Sequence, residues 1–175
     1  TEFCLRERIP VIRRVTGGGT VYHDHGNLNW SVFAPKSLIG KCDVHVVYET
    51  LSAPIVKALR GLGVDAAFIP PNSVRIEGFK VSGMAAYVRR NVVLCHGTLL
   101  VDADLDCMAR AIRVRDRVAN LSSFVEEAGL KEVQGAVIEE FEKTLGVELT
   151  KSGPTEQELE YTSSPRSSFK SSRLL

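Results

Sequence analysis

The run Arg13-Arg14-Val15-Thr16-Gly17-Gly18-Gly19-Thr20-Val21-Tyr22-His23-Asp24-His25-Gly26-Asn27 holds the densest set of chemical groups in the chain. Three successive glycines each cost roughly 0.5–1 kcal/mol relative to alanine. Such a loop is worth having where backbone must approach a ligand closely, or where N–H groups converge on an anion. Arg13 and Arg14 can make charge-assisted contacts to phosphate or carboxylate. His23, Asp24 and Asn27 follow on the next expected strand and turn. A plain hairpin turn with surface arginines is the blander reading of the same residues. The run is not a P-loop, because no Gly-Lys-Ser/Thr follows at the required spacing. It is not a dinucleotide-binding fingerprint either, because a strand is expected where a helix should follow.

Upstream, Thr1 to Glu7 reads as the last turns of a helix and Val11 to Arg14 as a short strand. Downstream, Thr20 to His23 and Leu28 to Phe33 read as strands joined at His25-Gly26, the second alternating Leu28, Trp30 and Val32 with more polar positions. Asp43 can cap a helix reaching Arg60, with Pro54 expected to kink or restart it. Val64 to Ile69 and Val74 to Glu77 flank a Pro70-Pro71-Asn72 break. Phe79 to Val88 and Val92 to Val101 form a hairpin pattern turned at Arg89-Arg90-Asn91. Asp102, Asp104 and Asp106 lead into a short helix over 104–112, where carboxylates favour the N-terminus. Leu130 to Leu145 has one apolar stripe and Gly146 as its stop. Thr155 and Glu158 have capping-box spacing. From Thr162 onward the chain is Ser-rich and basic, and is expected to be disordered. Strands in runs with helices between and after them predict an α+β fold.

Composition narrows the function classes. The chain has 175 residues, 44% hydrophobic and 25% charged, with a formal net charge of +1. That length can bury a real core. The near-neutral balance carries no electrostatic mandate to bind nucleic acid or an anionic membrane. The apolar runs are too short to span a bilayer, and no secretory signal opens the chain. Cys4, Cys42, Cys95 and Cys107 form no CxxC pair and read as buried, reduced thiols of a cytoplasmic protein.

Two further segments carry chemistry. In Gly78-Phe79-Lys80-Val81-Ser82-Gly83-Met84-Ala85, strand alternation predicts Lys80 and Ser82 on one face, Val81 and Gly83 on the other. A lysine among small residues can reach into a cleft as a fixed positive charge, though alone it reads more readily as a solvated edge-strand lysine than as an active-site group. In Leu94-Cys95-His96-Gly97-Thr98-Leu99-Leu100, His96 interrupts an apolar run and shares a face with Thr98. The histidines, with Asp24, match no zinc-ligand spacing.

Taken jointly, these segments resemble the lipoate–protein ligase family, within the wider biotin/lipoate ligase and lipoyl transferase group. The family pattern Arg-Arg-x-x-Gly-Gly-Gly-x-Val-aromatic-His-Asp-x-Gly-Asn matches Arg13 to Asn27 at every fixed position. Lys-(Val/Ile)-Ser-Gly-x-Ala matches Lys80 to Ala85, His-Gly-Thr-Leu-Leu matches His96 to Leu100, and Arg-Val-x-Asn-Leu matches Arg117 to Leu121. The resemblance implies a mixed β-sheet flanked by helices, like the catalytic core of class II aminoacyl-tRNA synthetases and biotin ligases, over residues 1–150, with residues 151–175 as a short helix and tail. It implies activation of lipoate by ATP to lipoyl-adenylate, then transfer to a lysine of an acceptor, either the lipoyl domain of a 2-oxoacid dehydrogenase E2 subunit or the glycine cleavage H protein. Lys80 is then the catalytic lysine, touching both lipoyl carbonyl and phosphate. The nucleotide side would be Arg14, Gly19, Thr20, Val21 and Tyr22, with Asp24 and Asn27 orienting Mg²⁺ or the nucleotide. Gly17, Gly18, His23, His96 and Gly97 would border the lipoyl group, with an apolar slot sought among Val15, Trp30, Val81 and Met84.

The chain departs from the family pattern in three ways. Only about a dozen residues precede the double arginine, where the family has further strands, so part of the core is expected to be missing or supplied separately. No C-terminal accessory domain fits after Gly146, and some archaeal members carry it as a separate polypeptide, so the chain could be half of a split ligase. Phe79 and Ser73 stand where a lysine and an Asn-Asp pair are usual. The rival readings are an octanoyl or lipoyl transferase working through a cysteine thioester without ATP, and a binding module without adenylation chemistry. The loop Ala66 to Pro70, where some transferases carry their cysteine, has none.

Overall fold

The computed structural model describes residues 2–40, 43–126 and 129–163. Cys42 and the tail from residue 164 lie outside the described residues. The chain falls into two units: one is Thr1–Val15 with Glu148–Leu175, the other Thr16–Val147. In the first, helix α1 (Glu2–Arg6) and helix α6 (Glu156–Ser163) are the regular elements. The capping box expected at α6 is made: Glu158 accepts from the Thr155 N–H at 2.7 Å, and Thr155 Oγ1 accepts from the Glu158 N–H at 3.3 Å. Val11 to Arg14 is not a strand.

The second unit is built on five strands, β1 (Asn27–Pro35), β2 (Ala66–Ile69), β3 (Ser73–Ile76), β4 (Phe79–Arg89) and β5 (Val92–Leu100), in the order β1-β5-β4-β3-β2. The α+β class holds. Every ladder is antiparallel, and the parallel character among the described residues is a single bridge between Lys80 and Val118. Thr20 to His23, expected as a strand, is irregular backbone. Those residues have strand propensity but no ladder to join, and within the stretch Tyr22 hydrogen-bonds the Cys107 side chain.

One face of the sheet is covered by α3 (Val44–Gly61) and α5 (Leu130–Leu145). Val47, Leu51, Ile55, Ala58 and Leu59 form the buried stripe of α3, and Val133, Val137 and Phe141 that of α5. Fully burying a large aliphatic side chain contributes about 1.5–3 kcal/mol. Asp43 caps α3, accepting from the His45 N–H at 2.8 Å. α3 runs through Pro54 without a restart. Pro54 is itself buried between stripe residues, and packing on both sides of it offsets the roughly 3 kcal/mol that an interior proline costs. Gly146 ends α5 in the left-handed conformation at φ 64°. Asp104 caps α4 (Leu105–Ala111), accepting from the Cys107 N–H at 2.8 Å.

Candidate active site

Opposed residues of an antiparallel ladder share a face, so the register assigns the site. Leu28, Trp30 and Val32 of β1 stand with Leu99, Gly97 and Cys95 of β5 on the face covered by the helices. Asn29 and Ser31 stand with Thr98 and His96 on the opposite, open face, continued on β4 by Gly83 and Ala85.

Lys80 reaches this open face through an irregularity. The β3–β4 register shifts between Val74 and Arg75, so that Ser82 pairs with Val74 but Lys80 pairs with Arg75, leaving Val81 as the extra residue of a β-bulge. The bulge overturns the strict alternation read from the sequence. Val81 and Ser82 are both buried, while Lys80 lies with Gly83: a Cβ on Gly83 would sit 3.0 Å from Lys80 Cε and 3.2 Å from Nζ. The lysine therefore runs over a bare patch of its own strand. Its backbone is held as well, the N–H donating to the Arg117 carbonyl at 2.7 Å and the carbonyl accepting from the Ala119 N–H at 3.3 Å. Burial holds the Lys80 ammonium below the ordinary lysine range; Asp116 opposes that shift and Arg75 reinforces it.

The glycine-rich loop is stitched to the same face at both ends. Thr16, buried, bonds His96 Nε2 through Oγ1 at 2.6 Å. Asn27 Nδ2 donates to Thr98 Oγ1 at 3.0 Å, while Asn27 Oδ1 accepts from the Asp24 N–H at 2.8 Å. Gly18 has φ 94°, a conformation favouring glycine. At Gly17 and Gly19 an added Cβ would meet no atom within 4 Å, and neither has a positive φ. The fold of the chain alone does not require those two positions to be bare, which fits close approach by a ligand.

Other expected site residues take structural places. Asp24 accepts the Gly26 N–H on one carboxylate oxygen and the Asp104 N–H on the other, each at 2.8 Å. Both Asp24 oxygens thus help to hold the loop, and no group of three or more candidate metal ligands gathers among the described residues. Asn27 is committed to the loop. Tyr22 is held well above the usual phenol range by its hydrogen bond to the Cys107 side chain, by burial, and by the charges of Asp24 and Asp104. Thr20, Val21 and His23 are exposed in the loop. Arg14 belongs to the other unit.

Two parts of the expected lipoyl border lie toward the core rather than on the open face. Gly97 lies on the helix-covered face, where its missing side chain makes room for Trp30: a Cβ there would come 2.7 Å from the indole ring. Trp30, Val81 and Met84, expected to form an apolar slot, pack into the core, and Val15 is exposed in the other unit. Cys95 is buried on that core face and its thiol is pushed up to about 12 by burial, the reverse of an activated nucleophile. Thr16, Gly83 and Arg75 join the site only through tertiary contacts, to His96, Lys80 and Asp116 respectively. Thr16 and Gly83 stood inside quoted motifs, but their contacts run between segments distant in the chain.

The family model described as lipoyl protein ligase A/B catalytic domain matches residues 1–142. A curated relative, lipoate-protein ligase LplJ of Bacillus subtilis, is 33% identical over 140 residues, covering 73% of this chain and 41% of that protein. Among solved structures, the bipartite lipoate protein ligase of Thermoplasma acidophilum, described with its E2 lipoyl domain, superposes with TM-score 0.83 at 33% identity, covering 91% of this chain and 67% of that one. A lipoate-protein ligase A bound with ATP superposes with TM-score 0.82 at 31% identity, covering 91% and 68%. The chain thus spans about two fifths of the length of the Bacillus relative it matches. No helix among the described residues is long and apolar enough to cross a membrane.

Proposed function

The chain belongs to the lipoyl protein ligase A/B catalytic-domain family, and on that premise we propose that it activates lipoate with ATP and passes the lipoyl group to a lysine of an acceptor lipoyl domain. The observation that carries this reading is the half-buried Lys80 ammonium, lying over Gly83 on the open face to which Thr16 and Asn27 anchor the glycine-rich loop. In the first step a carboxylate oxygen of lipoate attacks the α-phosphorus of ATP, and pyrophosphate leaves. Two anions must approach each other, and a fixed ammonium between them offsets the repulsion and stabilises the charge that builds up. In the second step the acceptor amine attacks the lipoyl carbonyl, AMP leaves, and the amine proton is lost to solvent. The bare backbone at Gly17 and Gly19 is proposed to admit the ligand, and Gly83, Ala85, His96 and Thr98 to line its acyl portion. The likeness to an ATP-bound ligase and to a ligase described with its E2 lipoyl domain supports these assignments. Mg²⁺ would enter with the ATP phosphates, with Asp24 and Asn27 proposed to orient it or the nucleotide.

We propose further that the catalytic work resides in residues 1–150, that Arg14 and residues 19–22 serve the nucleotide, and that the glycine cleavage H protein is also an acceptor. Cys95 and Cys107 are unbridged thiols, which supports a reducing, cytoplasmic setting. A second reading, in which adenylation requires a separate accessory polypeptide, is favoured by the likeness to a bipartite ligase.

The test is pyrophosphate release with ATP, Mg²⁺ and lipoate by the wild type and Lys80→Ala. Removing one charge-stabilising donor from such a site costs about 10²–10³ in rate, and a loss of that order is expected. If the folded wild type releases none, the self-sufficient ligase is wrong. Transfer to a lipoyl domain from preformed lipoyl-adenylate would then separate the split ligase from a protein that does not catalyse lipoyl transfer.

A further inference from the structure

The segment that clamps the Lys80 backbone is irregular, and its own anchorage sets where Lys80 stands. At its C-terminal end Asn120, buried, exchanges two hydrogen bonds with Ala103, donating to the carbonyl at 2.8 Å and accepting from the N–H at 3.0 Å. At its N-terminal end the tie is ionic: Arg75 Nη2 donates to Asp116 Oδ2 at 2.6 Å, with both side chains partly buried, and Arg75 Nη1 donates to the Gly78 carbonyl at 2.9 Å. Asp116 Oδ1 also accepts from the Arg117 N–H at 3.0 Å. The Arg117 guanidinium lies 4.4 Å from the centre of the Phe79 ring, beside Lys80 in sequence. Arg75 is the residue directly opposite Lys80 in the ladder.

A cation opposite the proposed catalytic cation is a liability unless its charge is met. We propose that Asp116 is a positioning residue for Lys80: paired with Arg75, it fixes the strand-like segment that holds the Lys80 backbone and shields the Lys80 ammonium from the guanidinium facing it. The inference rests on the reading of Lys80 as the catalytic lysine. The ionisable groups on the elements beside Lys80 are Arg75 and Glu77 at β3 and its turn, His96 on β5, and Asp116 and Arg117 on the clamping segment, while α3 lies across the other face of the sheet. Asp116 and Arg75 are the two whose charges act on the Lys80 ammonium, in opposite senses. Asp116 itself is held below the usual carboxylate range, chiefly by its hydrogen bond from Arg75, so it remains an anion through the working range.

The opposed signs provide the experiment. Lys80 is the only lysine between Lys57 and Lys131, so trace acetylation of the whole protein with acetic anhydride across pH, read by mass spectrometry on the peptide containing it, reports its titration midpoint. Relative to wild type, Asp116→Asn is expected to lower that midpoint, Arg75→Gln to raise it, and Asp116→Glu to leave it near the wild-type value. A residue needed only for folding would not move the midpoint in opposite directions in the two variants. Midpoints that stay put in both, or move the same way, overturn the inference. If Asp116→Asn does not fold, Arg75→Gln decides alone, and an unmoved or lowered midpoint overturns it. Pyrophosphate release with ATP and lipoate is followed in parallel, and its alkaline limb is expected to shift with the midpoint in each variant. Failure of the wild type to release pyrophosphate would count against the ligase reading, while the labelling midpoints still decide the role of Asp116.

Discussion

Gly83 shows how one missing side chain can serve chemistry more than folding. A methyl group there would crowd Lys80 at 3.0 Å from Cε and 3.2 Å from Nζ, and the flexible end of the lysine would yield by a few tenths of an ångström before the sheet did. Gly83→Ala is therefore expected to leave thermal stability nearly unchanged while lowering the rate of adenylation about tenfold, since ångström-scale misplacement at a reacting centre can cost on the order of 10²-fold. Comparing melting temperature with pyrophosphate release for this variant checks it, and a large fall in stability with an intact rate would contradict the placement of Lys80. The glycines at 17 and 19 make the same point differently, because the chain alone leaves room for a side chain at both. Their type was legible in the motif. Their freedom from any packing demand was not, since that depends on what the rest of the fold places around them.

Strand β5 divides its duties between its two faces, and its two motif residues His96 and Gly97 consequently have different roles. His96 binds the loop through Thr16 on the open face. Gly97, opposite Trp30 in the ladder, accommodates the indole, which in turn packs at 5.7 Å and a 52° tilt against Phe141 of α5. Gly97→Ala would force the Trp30 ring off that contact. Overpacking of this kind costs about 1–3 kcal/mol, so the urea midpoint is expected to fall by that equivalent. A variant as stable as wild type would show that the ring has room to move. Alternation along β5 was readable from the sequence, and the register keeps His96 and Thr98 on one face as that alternation has them. On β4 the same rule failed at Lys80, because the bulge at Val81 depends on how β3 pairs with it.

For the whole molecule, the core face is dry enough to be felt as a pH dependence of folding. Burial pushes the Cys95 thiol from its ordinary 9.0 up to about 12. The folded state keeps a proton that the unfolded state releases, so this contribution to stability is fully present below about pH 9 and is lost as pH rises towards 12. The stability difference between wild type and Cys95→Ala, from denaturant unfolding, is expected to shrink as pH rises through that window. A difference independent of pH would mean that water reaches the thiol in the native state. The α+β class, the hairpin of β4 and β5, the capped helices and the family membership were all carried by local signals: periodicity, caps, turn residues and linked motifs, each formed by residues near one another in the chain. At Pro54 the helix continues without the restart its local penalty suggests, because core packing that a single segment cannot reveal offsets that penalty. The open face was decided only by tertiary structure, for it requires Lys80, Gly83, His96, Thr98 and the glycine-rich loop to meet across strands, and Arg75 with Asp116 to meet across 41 positions of chain. Register, bulges and ion pairs of that range follow from which strands pair, and pairing is a property of the assembled sheet.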